Sequence, residues 1–284
     1  ASNTAVGLNA LNLSTTASYN TAIGASSLIT NTTGAANIAV GFNTLYGNTT
    51  GDNNVAIGSG ALDANTTASN NTAVGDGSLG ANTTGASNVS VGKGALQSNT
   101  TANYNTAVGM EALRENTTGA SNSAYGLYSL LTNTTGGSNV AVGTSALYAN
   151  TTGGQNVAVG FEAGDGCDDA NYNTSVGWQA LSGNAGDNNT VVGAQSGVAA
   201  TGNRNTLLGV NAGYPLTSGD NNLFLGLDAG RSGSPGGNIT TGSNEIVLGD
   251  ENITEAHIQV DWTVVSDARD KTDFTALDLG LDFV

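Results

Sequence analysis

The chain has 284 residues, of which 42 are glycine and two are proline, and only 10% of its residues are charged, less than half the share in an average globular domain. The formal net charge of −16 argues against a nucleic-acid-binding protein, because phosphates attract lysine and arginine. No apolar run reaches the length of a membrane-spanning helix, and the single cysteine, Cys167, excludes an internal disulfide framework.

Glycine recurs every seventeen residues from Gly7 to Gly177, then at Gly193, Gly209 and Gly226 after steps of sixteen, sixteen and seventeen. A fixed short period indicates small units stacked on one another. Seventeen residues are too few for a pair of helices but enough for one coil of a β-solenoid. The sequence therefore predicts an all-β protein, a parallel β-solenoid or β-roll of about 14 coils with repeats of 16–17 residues, over residues 1–230.

An asparagine stands four residues before each repeating glycine. Clear examples are Asn37, Asn54, Asn71 and Asn88, which precede Gly41, Gly58, Gly75 and Gly92, together with the next asparagine, Asn105. Equal positions of a solenoid lie above one another, so stacked side-chain amides can form hydrogen bonds along the column. We expect these residues to form a structural ladder.

Two apolar columns are expected to form the core: the aliphatic residue before each glycine, such as Val40, and the leucine four residues after it, such as Leu45. The small residue beside the valine, such as Ala39, is then expected on the opposite face, where another chain could approach closely. One valine and one leucine per coil bury little surface against the entropy of ordering seventeen residues. We therefore expect a homo-oligomer, intertwined or side by side.

The repeated Asn-Thr-Thr-Gly segments, such as 31–34, are predicted turns. The repeat is disturbed around Cys167, where Asp165, Asp168 and Asp169 cluster. The negative charge of the chain could serve only to keep it soluble. Alternatively, the three aspartates could bind a cation, and the sequence leaves both interpretations open. No metal-ligand spacing and no cofactor motif stands out, and we predict neither a metal nor a cofactor.

Residues 231–265 are expected to form a neck or cap. A Gly/Ser/Pro/Thr loop comes first, followed by short apolar runs at 245–249 and 257–265. Larger residues already replace the valine column from Leu207 onward, and we interpret that change as the approach to the cap. Caps protect the edge strand of a solenoid from further pairing.

The segment that follows reads Ser266-Asp267-Ala268-Arg269-Asp270-Lys271, with Leu279-Gly280-Leu281 further on. Ser266, Asp267, Arg269 and Lys271 match the opening motif of the endosialidase-type intramolecular chaperone family, also called peptidase S74, found on phage tail spikes and fibres. The segment 266–284 resembles the start of that longer domain, truncated here. The repeats also resemble, more loosely, the β-rolls of trimeric adhesin heads.

The resemblance implies a homotrimer whose chaperone domain assists folding of the β shaft and then cuts itself off. Ser266 would be the nucleophile beside the cleaved bond and Lys271 its general base, with Asp267 and Arg269 supporting the motif. The chain departs from the family pattern at Asp270, usually an apolar position, and a carboxylate there favours the charged form of lysine. Self-cleavage is the only catalysis expected.

The resemblance further implies a structural and host-attachment part of a phage tail fibre or spike, located on the virion tail. Its partners would be other tail or baseplate proteins and a host receptor such as a glycan, with no nucleic acid and no membrane insertion. Phe161, Trp178 and Tyr214 are aromatic residues that could stack on sugars. The alternative is a bacterial trimeric surface adhesin or another extracellular fibre on the cell surface. An ice-binding solenoid needs flat Thr-x-Thr strands, and a glycan hydrolase needs paired carboxylates in a groove; the repeats offer neither pattern clearly.

Overall fold

A computed structural model describes residues 2–255 and residue 257 of the chain. Fifteen strands of three residues each form a single sheet, in which every strand pairs with the next one along the chain. They are β1 (Thr4–Val6), β2 (Thr21–Ile23), β3 (Ile38–Val40), β4 (Val55–Ile57), β5 (Thr72–Val74), β6 (Val89–Val91), β7 (Thr106–Val108), β8 (Ser123–Tyr125), β9 (Val140–Val142), β10 (Val157–Val159), β11 (Thr174–Val176), β12 (Thr190–Val192), β13 (Thr206–Leu208), β14 (Leu223–Leu225) and β15 (Ile246–Leu248).

All neighbouring strands are parallel, and each residue lies opposite the residue at the same position of the next repeat. Ala39 of β3, for example, pairs with Ala56 of β4. Parallel pairing without any helix between the strands means that each repeat makes one turn of a coil. The predicted all-β parallel solenoid is confirmed. β15 pairs with β14, so the sheet continues into the segment predicted to be a neck.

The face of the strands that we expected to be buried is the exposed one. In every strand from β2 onward the middle residue is buried, while the residues on both sides of it are partly or fully exposed. Ala39 is 0% exposed, whereas Ile23 and Ile57 are 41% exposed. The prediction of a valine core and an outward alanine face was therefore wrong. Alternation along a strand places neighbours on opposite faces, but it does not say which face is inside.

The narrow coil explains why alanine lies inside. The leucine after each glycine is buried, as expected, and it packs in the same core cluster as the alanines. Leu45, Leu62 and Leu79 are each 0% exposed and adopt a left-handed backbone with φ of 50–53°. Each leucine therefore turns the chain sharply and fills the centre of the coil, which leaves room for only a methyl group from the strand opposite.

Beyond residue 190 the large and small core residues exchange places. Leu207 and Phe224 are fully buried at the strand position that alanine holds elsewhere. Glycine then takes the leucine position: a methyl group added at Gly213 would lie 2.8 Å from a Leu207 methyl, and one at Gly230 would lie 2.6 Å from the Phe224 ring. The larger residues from Leu207 onward thus keep the core filled.

The repeating glycine is required by close contact between successive coils. Gly41 has a φ of +142°, and a Cβ built there would lie 2.6 Å from the carbonyl oxygen of Gly58. Any side chain at this position would therefore meet the backbone of the next coil. The shape of the solenoid depends on this column as much as on the core.

Residues 2–252 form one compact unit, and beyond them only residues 253–255 and 257 are described. Within the described residues, no helix has the length and apolar character needed to cross a membrane.

Candidate functional site

The asparagines before the strands form a continuous buried column. The Oδ1 atom of each accepts a hydrogen bond from the backbone N–H of the asparagine one repeat later, as between Asn37 and Asn54 at 2.9 Å and between Asn54 and Asn71 at 3.0 Å. In most repeats the Nδ2 atom donates to a backbone carbonyl fourteen residues on, as from Asn105 to Gly119 at 2.9 Å, whereas Asn173 Nδ2 has no partner. The side chains therefore link one coil to the next mainly through the backbone.

The first asparagines of the successive Asn-Thr-Thr turns form a second buried column. In this column the side-chain amides contact each other directly. Asn48 Nδ2 donates to Asn31 Oδ1 at 2.8 Å and also to the carbonyl of Gly51 at 3.1 Å. The same pattern runs without a break to Asn150. These side chains are 0% exposed, so the Asn-x-Thr glycosylation motif that they form is inaccessible in the folded chain.

The second column ends at Cys167, which replaces the next asparagine. The Asn150 Oδ1 atom is buried without a hydrogen-bond partner. The thiol is fully buried, and burial raises its pKa to about 12. A thiol that is neutral and inaccessible is neither a nucleophile nor a metal ligand.

The acidic residues beside Cys167 do not converge on one point. Burial, and secondarily the negative charge of Glu162, raise the pKa of Asp165 to about 6. Asp168 is exposed and accepts a hydrogen bond from Thr151 Oγ1 at 2.6 Å. Within residues 2–255 and 257, no group of three or more histidine, cysteine or carboxylate side chains could hold a metal ion.

The aromatic residues proposed for sugar stacking occupy different surroundings. Phe161 and Trp178 hold the same position of consecutive repeats, and they are 45% and 48% exposed. The polar residues that follow them are joined, since Gln179 Nε2 donates to Glu162 Oε2 at 2.8 Å. Tyr214, by contrast, is covered by the Arg231 guanidinium at 5.1 Å from the ring centroid, a cation–π contact.

The sequence reasoning missed the exposed, mostly aliphatic face of the sheet. Each strand exposes its first and third residues on the outer face of the sheet, and we call these thirty positions the outer sheet face. The third residue is aliphatic in every strand except β8, which has Tyr125. A signal was available in the sequence: a residue that is always small, such as the strand alanine, fits a crowded interior better than an exposed surface.

The residues expected to cleave the chain, Ser266 and Lys271, lie outside the described residues, as do Asp267 and Arg269. The structure therefore gives no geometry for them.

No protein-family model, no curated protein and no solved structure matches this chain.

Proposed function

We propose that this chain is the shaft of a homotrimeric fibre, a structural and host-attachment part of a phage tail fibre or spike. The observation that carries the proposal is the uninterrupted sheet of fifteen three-residue strands. At a strand spacing of about 4.8 Å, fifteen strands make a rod about 70 Å long. A rod of this length, built from one repeated coil, suits the shaft of a fibre.

The rod also needs a device that sets its register. Each coil resembles the next, and chains that associate along identical coils can pair one repeat out of step. Long-range β assembly is also slow and prone to aggregation. A trimeric chaperone at one end of the shaft would align the three chains, and its removal would leave a kinetically stable fibre.

The sequence at 266–271 supplies the residues for that removal. The Ser266 hydroxyl attacks the carbonyl carbon of Val265, and Lys271 in its neutral form accepts the hydroxyl proton. The C–N bond between Val265 and Ser266 then breaks, and Lys271 returns the proton to the leaving Ser266 amine. Water hydrolyses the resulting ester, which frees the Val265 carboxyl group and restores the Ser266 hydroxyl. The carboxylate of Asp270 favours the charged form of Lys271, so the reaction depends on how far the lysine is desolvated when the trimer forms.

Host attachment is supported by exposed aromatic side chains at the edge of the shaft. Phe161 and Trp178 lie on consecutive coils beside the hydrogen-bonded pair Glu162 and Gln179. Aromatic faces with neighbouring amides and carboxylates are suited to binding a glycan. This part of the proposal concerns the receptor alone, and the shaft function does not depend on it.

The experiment is mass spectrometry of the purified full-length protein and of two variants, Ser266→Ala and, as a matched control, Thr272→Ala. We expect cleavage beside residue 266 in the wild type and in Thr272→Ala, and an intact chain in Ser266→Ala. Electron microscopy of the cleaved product should show rods. An identical fragment pattern in the wild type and Ser266→Ala would reject the cleavage, and compact particles instead of rods would reject the shaft.

A further inference from the structure

We propose that copies of this chain pack against one another through the outer sheet face. The inference rests on the proposed homotrimeric fibre and specifies which surface joins its subunits. It reverses the expectation from the sequence, in which the alanine column was to meet the neighbouring chain.

The outer sheet face is mostly apolar and carries no charge. Its residues are aliphatic, threonine or serine, with Tyr125 as the one aromatic residue. Ile38, Val142 and Val159 are 40%, 37% and 37% exposed although each lies in the middle of the sheet, with a paired strand on both sides. A soluble monomer rarely exposes a continuous apolar surface of this extent.

The face has the area of a stable interface. Fifteen strands at about 4.8 Å and three residues at about 3.3 Å give a strip of about 70 by 10 Å, or roughly 700 Å² before side-chain relief is counted. A standard protein interface buries about 800 Å² on each partner. One strip per subunit is therefore comparable in area to one side of a standard interface.

A second copy is the partner whose surface has the same repeat. The aliphatic side chains of the third strand position follow one another at the strand spacing, and another copy laid parallel presents rows with that same spacing along its whole length. The chain has a net charge of −16, so two copies repel at long range. Among the described residues no acidic side chain lies in a strand; Asp63 and Asp76, for example, lie in turns. The uncharged strip therefore lets the copies meet without pairing like charges.

In the part of the chain that the structure describes, the other sides of the coil are more polar or charged; the position after each repeating glycine, for example, includes Asp76 and Lys93. The turn at 48–51 and its counterparts are polar, with the buried amides turned inward and the threonines making coil-to-coil hydrogen bonds, such as Thr49 Oγ1 to the carbonyl of Thr66 at 3.0 Å. The interior is filled by leucine and alanine. The apolar burial that a thin core lacks can therefore come from the outer sheet face.

The test uses single cysteines introduced into the full-length protein, Val142→Cys on the outer sheet face and Thr101→Cys in a turn as the matched control. The side chains at both positions are exposed in the single chain. The native thiol does not interfere in the folded protein, since Cys167 is buried and its pKa is raised to about 12. The rate of labelling by a maleimide is measured for each variant, and sedimentation gives the oligomeric state.

We expect a trimer in which the cysteine at 142 reacts at least about tenfold more slowly than the one at 101, equivalent to about 1.4 kcal/mol of protection. Both should react at similar rates in denaturant. If the protein is a trimer and both cysteines react equally fast, the outer sheet face is not the interface. The proposed trimeric fibre is then retained, with its subunits joined through a different surface. If the wild type is a monomer, the proposed trimer fails, and this inference fails with it.

Discussion

Asn150 and Cys167 occupy successive positions of one buried column, and the exchange of an amide for a thiol leaves the Asn150 Oδ1 atom without a donor. Eight asparagines precede the break, from Asn31 to Asn150, and each after the first donates to the amide before it. A column of amides satisfies itself only while every member supplies both a donor and an acceptor. The irregular coil around Cys167 is therefore a weak point of the rod.

Restoring the missing amide should strengthen that point. In Cys167→Asn the new Nδ2 can donate to Asn150 Oδ1 and to the carbonyl of Ala170, as the regular repeats do. We expect a gain of about 1 kcal/mol in the free energy of unfolding, since a buried orphan acceptor costs about 1–3 kcal/mol. Urea unfolding measures it, with Cys167→Ala as a control that frees space without adding a donor. A loss of stability in Cys167→Asn would show that the column does not continue across this coil.

The repeating glycine should tolerate no side chain. In Gly41→Ala the methyl group would meet the carbonyl of Gly58, and the φ of +142° is itself unfavourable. We expect a loss of at least about 2–3 kcal/mol, the range for a strongly strained backbone plus a clash. In the control, Gly60→Ala, φ is +63° and nothing lies within 4 Å of the new methyl, so the loss should be about 1 kcal/mol. Equal losses in thermal unfolding would contradict close contact between coils.

The exchange of large and small core residues should be reversible. Leu207→Ala alone leaves a cavity and should cost about 2–5 kcal/mol. Adding Gly213→Leu recreates the alanine–leucine pair of the earlier coils, and leucine already adopts a similar φ at Leu45. We expect the double variant to recover at least about half of that loss, measured as the coupling in a double-mutant cycle. Additive losses would mean that the two sites do not share one space.

The stability should depend on pH through Asp165. Its pKa is raised to about 6 in the folded chain, mainly by burial and further by Glu162, so between about pH 4 and 6 the folded state holds a proton that the unfolded state has lost. By linkage, this residue makes the fold less stable as the pH rises through that window. Asp165→Asn should therefore gain stability relative to the wild type more at pH 7 than at pH 4. The difference between the two urea midpoints, measured at both pH values, gives the answer; a constant difference would show that Asp165 is not perturbed.

The period of the repeat was sufficient to predict the coil, the parallel pairing and the stacked positions of Asn37, Asn54 and Asn71. The period did not predict which face of the sheet is buried. Alternation places Ala39 and Val40 on opposite faces, but it does not say which of the two faces the interior. Two signals could have corrected this. The strand alanine never exceeds the size of serine in the first eleven strands, and glycine replaces the leucine where Leu207 and Phe224 appear. Both patterns indicate a space of fixed volume shared by the two columns.

The proposed site was less predictable for a physical reason. An interface between copies depends on which residues the single chain leaves exposed. Those residues depend on which face of the strands is turned outward, and the repeat period does not determine this. The asparagine column before the strands was easier to predict because its side chain repeats without variation, whereas the asparagines of the second column were expected only as turn residues. The break at Cys167 was visible in the sequence, but its consequence, an orphan acceptor on Asn150, depends on the direction of the hydrogen bonds.

The mass of the folded protein in solution tests the central claim most directly, namely that the apolar face left by a thin coil is covered by other copies. Sedimentation equilibrium over a range of concentrations should give a species of three chains, each of 28.0 kDa before any cleavage. A folded, soluble species with the mass of one chain at every concentration would contradict the account.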